Sequence, residues 1–353
     1  MMSKVTNQRF AFLLLCILFA CTKSEHPDYY SQKDFEYKDF PKLDTLRGKK
    51  LKLKNLYDPR RIINLRDYLV ISDEKSDPQI YIYNKKKDLI INNVGLMGRG
   101  PGEIGYVWNI KHSSNDSTFW VYQIDTKKMS KFSVYQDNPF SIEEINFDNE
   151  NNKMYLGANF AFSSDTSYIM NMISGKDKYI EFNRNGAEIN TFDEWSHMKK
   201  EKLPDNVISS LFGGTFINDK TRNYFILASH DLDAFEIFNK KDKEIIALRG
   251  PIQYNPKFII DYSAGFPMLA ITEKHYKYMY LDVSCGEKLF YVLFSGSESF
   301  GCDDIFVFDY KGNCKKYYKL DTKIKQFDID EQAHKFYGIT AGDPEPNIVV
   351  FEY

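Results

Sequence analysis

The chain has 353 residues, with 47 Lys and Arg against 49 Asp and Glu and a formal net charge of −2. That balance excludes a protein that captures nucleic acid or an anionic membrane surface through excess positive charge. Its 25 Tyr and 28 Phe, together with frequent β-branched residues, point instead to strands.

At the amino end, Lys4 and Arg9 lead into an unbroken apolar run from Phe10 to Ala20. The run has the length of a signal-peptide core and is too short for a bilayer, which takes about 20 residues. It closes in Leu18-Phe19-Ala20-Cys21, which resembles a bacterial lipoprotein box. The resemblance implies cleavage before Cys21 and acylation of that cysteine. Each buried methylene contributes about 0.8 kcal/mol, so more than one acyl chain makes a stable anchor. The bland alternative is plain secretion with Cys21 incidental. Residues 1–20 are therefore expected to be a signal peptide. Residues 21–43, polar and poor in aliphatic side chains, are expected to be a lipid-anchored tether. Residues 44–353 remain for the folded domain, and no later apolar run is long enough to cross a membrane.

The domain alternates apolar and polar residues with period two. Examples are Ile80–Asn84, Phe119–Asp125, Tyr179–Asn183, Phe235–Asn239, Ile305–Tyr310 and Ile348–Tyr353. Between Asp193 and Ser210 the pattern allows at most one helical turn, limited by Pro204. A strand, a polar turn and a second strand recur, with the second strands centred near 82, 131, 181, 237, 307 and 350. Spacings near 40–50 residues with two insertions fit propeller blades. The fold class predicted is all-β, a six-bladed β-propeller of four-stranded antiparallel blades. The last repeat stops after its third strand at Tyr353, so Lys49–Leu56 is expected to supply the missing outer strand and close the ring.

Between the first and second repeats lies Gly95–Gly102, with four glycines and one proline. It is no Walker loop, because Pro101-Gly102 stand where Lys is needed, and no dinucleotide fingerprint, because Glu103 stands where glycine is needed. Neither is followed by the helix that would complete an anion site. The stretch reads as a crossing between blades, with Arg99 and Glu103 placed to tie it by charge-assisted hydrogen bonds.

Three stretches carry a resemblance to the TolB-like six-bladed β-propeller lipoproteins of Bacteroidota. They are Gly98–Glu103, the fifth repeat from Tyr291 to Asp321, and the carboxyl end from Ile324 to Tyr353. The resemblance covers roughly Leu43 to Tyr353. It implies the fold and a cell-envelope location in a Gram-negative bacterium, lipid-anchored and at the outer membrane. It supplies no catalytic residues and no cofactor.

In a four-stranded antiparallel blade, the loops between strands two and three share a face with the crossings. Those loops carry Asp73, Glu74, Asp77, Asp125, Asp177, Asp231, Asp233, Glu298, Asp303, Asp304, Asp343 and Glu345. An acidic rim is expected, with Arg99 as its basic exception, suited to a cation, a hydroxylated ligand or a basic peptide. The bland alternative is that these loops are simply solvated. Candidate ligand-binding residues are Arg99, Glu103, His230, Asp231 and Asp233. The same parity separates Cys302 from Cys285 and Cys314 and predicts no disulfide. Metal-binding spacings of Cys or His are absent, and no metal or cofactor is expected. No nucleophile elbow occurs. The expected function is non-catalytic binding of an envelope protein, a peptide or a glycan. The alternative is a glycan-active lyase or hydrolase at the channel, which requires His, Tyr, Arg and carboxylates to converge there.

Overall fold

A computed structural model describes residues 32–353 except 52, 114, 148–152, 196–202 and 343–345. The expected signal peptide and Cys21 lie outside the described residues, as do Asp343 and Glu345.

Three short strands come first: β1 (Lys33–Asp34), β2 (Leu43–Leu46) and β3 (Gly48–Lys50). The first four-stranded set is β4 (Pro59–Leu65), β5 (Tyr68–Asp73), β6 (Ile80–Asn84) and β7 (Leu89–Val94). The second is β8 (Asn109–His112), β9 (Thr118–Gln123), β10 (Lys128–Ser133) and β11 (Glu143–Asn146). The third is β12 (Gly157–Phe162), β13 (Ser167–Met172), β14 (Asp177–Asn183) and β15 (Glu188–Glu194). After α1 (Asp205–Leu211) the fourth follows: β16 (Gly214–Asn218), β17 (Tyr224–Ser229), β18 (Ala234–Asn239) and β19 (Glu244–Arg249). A hairpin of β20 (Phe258–Asp261) and β21 (Met268–Ile271) precedes β22 (Tyr278–Cys285), β23 (Leu289–Ser297), β24 (Cys302–Asp309), β25 (Cys314–Asp330), β26 (Lys335–Thr340) and β27 (Ile348–Glu352).

Each set is antiparallel in chain order, so the protein is an all-β propeller of four-stranded antiparallel blades. The six repeat centres read from the sequence fall within β6, β10, β14, β18, β24 and β27. Strand β25 is 17 residues long. Its first half pairs with β24 and its second half, Ile324–Asp330, with β26, which joins the last strands into one eight-stranded sheet. Pro204 starts α1 rather than limiting it. Proline has no backbone N–H, and the cap position where it stands needs none for the helix. The helix buries Val207, Ile208 and Leu211 beside Trp195 and Phe212.

The amino-terminal strands form a belt. Lys33–Asp34 pairs in parallel with Leu248–Arg249 of β19, and Leu43–Leu46 in parallel with Tyr317–Leu320 of β25. Gly48–Lys50 pairs antiparallel with Val349–Phe351 of β27. Part of the segment expected to be tether, residues 32–43, is thus packed on the outer edges of the sheets. The cause is two aromatic side chains in a polar stretch. Phe35 and Phe40 are buried, with Phe35 5.0 Å from Phe308 and Phe40 stacked 4.9 Å from Phe306. At Gly48 a Cβ would lie 2.4 Å from the Val349 side chain, so the belt meets β27 only through a glycine.

Strands β4, β8, β12, β16, β22 and the second half of β25 are the first strands of their sets and line the axis. Two polar side chains tie them. The Asp328 carboxylate of β25 accepts from the Asn64 backbone N–H of β4 (2.7 Å), His112 Nε2 of β8 (3.0 Å) and Ser284 Oγ of β22 (2.5 Å). Asn159 of β12 accepts from Trp108 Nε1 (3.1 Å) and donates to Gly214 O of β16 (3.0 Å). Burial alone would raise the Asp328 carboxyl, but the hydrogen bonds and charge from His112, with those from Ser284 and Asn64, outweigh it and hold it below the ordinary carboxylate value.

This carboxylate therefore contributes stability that is present above its unfolded value, near pH 4, and lost as pH falls through the lowered folded value. Asp328→Ala, which strands several buried donors, is expected to cost about 3 kcal/mol in urea unfolding. Asp328→Asn is expected to flatten the stability profile below about pH 4 relative to the parent. A parent-like acid limb in Asp328→Asn would contradict the assignment.

Candidate binding site at the mouth of the channel

Because neighbouring strands are antiparallel, the β5–β6, β17–β18 and equivalent loops share one end of the propeller with the crossings between sets. This crossing face carries all the sequence-predicted site residues.

The glycine-rich crossing is closed from within. Glu103 turns inward, and its Oε2 accepts the Gly100 N–H at 2.8 Å while its backbone N–H reaches Gly100 O at 3.1 Å. A Cβ at Gly98 would lie 1.9 Å from that carboxylate, so glycine makes room for it. Lys128 Nζ, donating to Glu103 O (2.7 Å) and Glu144 (2.8 Å), fixes the far side. Arg99 stands exposed and makes no ion pair with Glu103. Of the two residues expected to tie the loop by charge-assisted hydrogen bonds, Glu103 does so through its carboxylate on the Gly100 N–H, and Arg99 points into solvent.

The acidic rim is also largely consumed internally. Asp73 is fully buried and accepts the N–H groups of Tyr57, Asp58 and Lys75. Asp233 is 1% exposed and accepts from Ile252 N–H (2.8 Å), Gln253 N–H (2.7 Å) and Tyr280 Oη (2.7 Å). Burial pushes its carboxyl up while those donors pull it down. Asp233 is a support for the crossing from β19, not a group facing a ligand. Glu74 pairs with Arg60 at 2.7 Å, and Asp303 and Asp304 share Lys319.

His230 and Asp231 remain. Ser229 Oγ accepts the N–H groups of Asp231 (3.1 Å) and Leu232 (2.9 Å), which turns the chain after β17. The His230 backbone is pinned to Gly213 O (2.9 Å) and Met279 N–H (2.8 Å). Among the described residues its Nε2 is enclosed without a hydrogen-bond partner. Burial, then the nearby Arg61 guanidinium, push the imidazole down to about 4, so it is neutral at pH 7. Asp231 accepts from the Tyr276 hydroxyl, and burial pushes its carboxyl up to about 6 against that bond. Tyr276, Tyr278 and Phe300 continue as an edge-to-face series at 5.0 and 5.1 Å. This arrangement offers a neutral imidazole nitrogen, a readily protonated carboxyl and aromatic faces.

Sequence reasoning missed Arg61 and Tyr276. Neither has a motif around it, and each reaches the site from a different set. It also missed apolar side chains on the crossing face. Met97, Ile259, Tyr262, Phe266 and Phe300 are each more than half exposed. A separate cavity of about 350 Å³ lies beside β11 and the β14–β15 turn, lined by Glu143, Glu144 and Arg184 among others. Arg184 and Glu143 pair within that lining. Cys285, Cys302 and Cys314 are free thiols.

Comparison with known proteins gives the fold a family. A crystal structure of a DUF4221-family member from Bacteroides vulgatus superposes with a TM-score of 0.57 at 13% identity, covering 92% of this chain and 96% of that one. One of a putative exported protein from Bacteroides fragilis gives 0.54 at 11% identity, covering 87% and 94%. The RRP9 WD40 repeats give 0.51 at 7% identity, covering 86% and 97%. At these identities the likeness is one of fold. No curated protein matches the chain. The model of the TolB-like 6-blade propeller-like family matches residues 37–332, and the chain belongs to that family.

Proposed function

We propose that this protein is a lipid-anchored envelope propeller whose crossing face binds a partner protein. The observation that carries the reading is the set of exposed apolar side chains on that face, with Tyr262 at 62% and Phe266 at 54% exposure on the β20–β21 hairpin. Large apolar side chains left in water favour a protein surface over a glycan, which would pair with polar groups. A β-propeller is consistent with a binding or scaffold role.

Six blades are the count we adopt, with the eight-stranded sheet taken as two and the last completed by Gly48–Lys50. The support is the double pairing of β25 and the register of β3 on β27. For location, the support is the Phe10–Cys21 stretch and the likeness to a protein described as exported.

The grouping of His230, Asp231 and Tyr276 favours the second reading, a glycan-active lyase or hydrolase. Turnover of a polysaccharide panel that vanishes in His230→Asn would select it, and an inactive panel would leave binding alone.

Two outcomes test the first reading. Cys21→Ser is expected to move the protein from the membrane to the soluble fraction and abolish palmitate labelling; unchanged membrane retention would contradict the anchor. The triple change Tyr262→Ser, Phe266→Ser and Phe300→Ser is expected to weaken partner capture from envelope extracts at least tenfold, about 1.4 kcal/mol, with an unchanged Tm. Equal capture by the parent and the triple variant would overturn the docking face.

A further inference from the structure

Three ionisable side chains on the axial strands, one of them the Arg61 that acts on His230, take no part in the hub at Asp328. Arg61 lies on β4, Lys111 on β8 and Asp282 on β22. Lys111 is 6% and Asp282 7% exposed. Lys111 Nζ reaches past β12 to donate to Phe216 O on β16, at 2.5 Å, so its ammonium sits among strands from several sets. That ammonium has three donors, and this is the one bond it makes among the described residues. The Arg61 guanidinium donates to the backbone oxygens of Trp108 (2.7 Å) and Arg60 (3.1 Å) and to no carboxylate. Asp282 accepts the Phe327 N–H at 3.0 Å. Among the described residues none of the three forms an ion pair, although Asp282 acts electrostatically on Arg61 and Lys111, and Arg61 on Lys111 and Asp282.

A buried cation without a counter-charge is costly, and two facing one carboxylate leave excess positive charge. Desolvation pushes Lys111 down to about 8, so it keeps its proton at pH 7. It pushes Asp282 up to about 7, which weakens the one carboxylate that acts on both cations. Arg61 stays charged throughout. The His230 imidazole, whose Nε2 lacks a hydrogen-bond partner among the described residues, also feels Arg61 and adds a neutral donor or acceptor near it.

We propose that the axial channel holds a binding site for a small oxyanion, bridged between the Lys111 ammonium and the Arg61 guanidinium. The ligand class is a carboxylate of a small organic or sugar acid, or a phosphate or sulfate group. The guanidinium fork and the ammonium satisfy such an anion with charge-assisted bonds, and the anion supplies the charge that Asp282 does not. The site is independent of the docking face, whose residues are apolar and lie on the loops.

The test is the melting temperature of purified protein titrated with sodium phosphate, sulfate, acetate and glucuronate, each against chloride at equal ionic strength. A saturable rise with at least one oxyanion is expected. Response to phosphate and sulfate alone identifies a phosphate or sulfate ligand, and response to acetate or glucuronate a carboxylate. Lys111→Met keeps the length of the side chain and removes an unpaired buried charge. It is expected to melt no lower than the parent without anion, yet to weaken anion binding at least tenfold. Asp282→Asn keeps an acceptor for Phe327 N–H and removes the competing charge, so it is expected to tighten anion binding several-fold. A merely structural role would not give opposite shifts in these two variants. The proposal is overturned if no oxyanion exceeds chloride, or if both variants respond as the parent does.

Discussion

The Asp328 carboxylate is the contact on which the wheel depends. A propeller brings the first strands of its blades together where no layer of apolar side chains can fill the middle, so the axis must be bridged by polar groups that satisfy one another. Asp328 collects donors from β4, β8 and β22 while standing on β25. Asn159 does the same for β8, β12 and β16. Together these two side chains touch every axial strand. A desolvated charge is poor material for raw stability, but a carboxylate with several fixed donors specifies one arrangement of strands around it. The register of the axial strands follows from that geometry.

From the axis outward the physics changes. Between the sets, aromatic rings pack closely: Tyr179 stacks between Phe216 and Phe238, and Phe235 meets Phe290 and Phe308 face to edge. At the rim the problem is unpaired strand edges, and the belt of residues 32–50 covers β19, β25 and β27 in turn. Phe35 and Phe40 anchor it by filling the space where the fourth set meets β24. Each fully buried phenylalanine contributes about 1.5–3 kcal/mol, enough to hold a short polar segment that has little pairing of its own.

The fold was legible because strand periodicity is local: alternation marks each of the strands β6, β14, β18, β24 and β27 from its own residues. The belt was not legible, because two aromatics in a polar segment give no period. The double use of β25 was hidden for a related reason. Asp321 to Lys323 look like a turn in sequence, yet the chain runs on through them from one pairing partner to the next. At the site, His230 and Asp231 were found since they are neighbours, whereas Arg61 and Tyr276 approach from distant parts of the chain. The acidic loops misled in a specific way. Sequence counts a carboxylate the same whether it meets water or three backbone N–H groups, and Asp73 and Asp233 meet N–H groups.

That use of carboxylates explains why several acidic residues of the crossing loops face inward, while Asp77, Asp125 and Glu298 stay exposed. Crossings leave sheets, so their N–H groups lose ladder partners and need acceptors from side chains. Asp73, Glu103 and Asp233 serve that need and are drawn inward. Once they have turned in, what projects from the same loops is whatever the turns do not require: Arg99, Met97, and the Ile259, Tyr262 and Phe266 of the inserted hairpin. The polar residues build the scaffold of this face, and the residues with no structural duty give it a surface to offer.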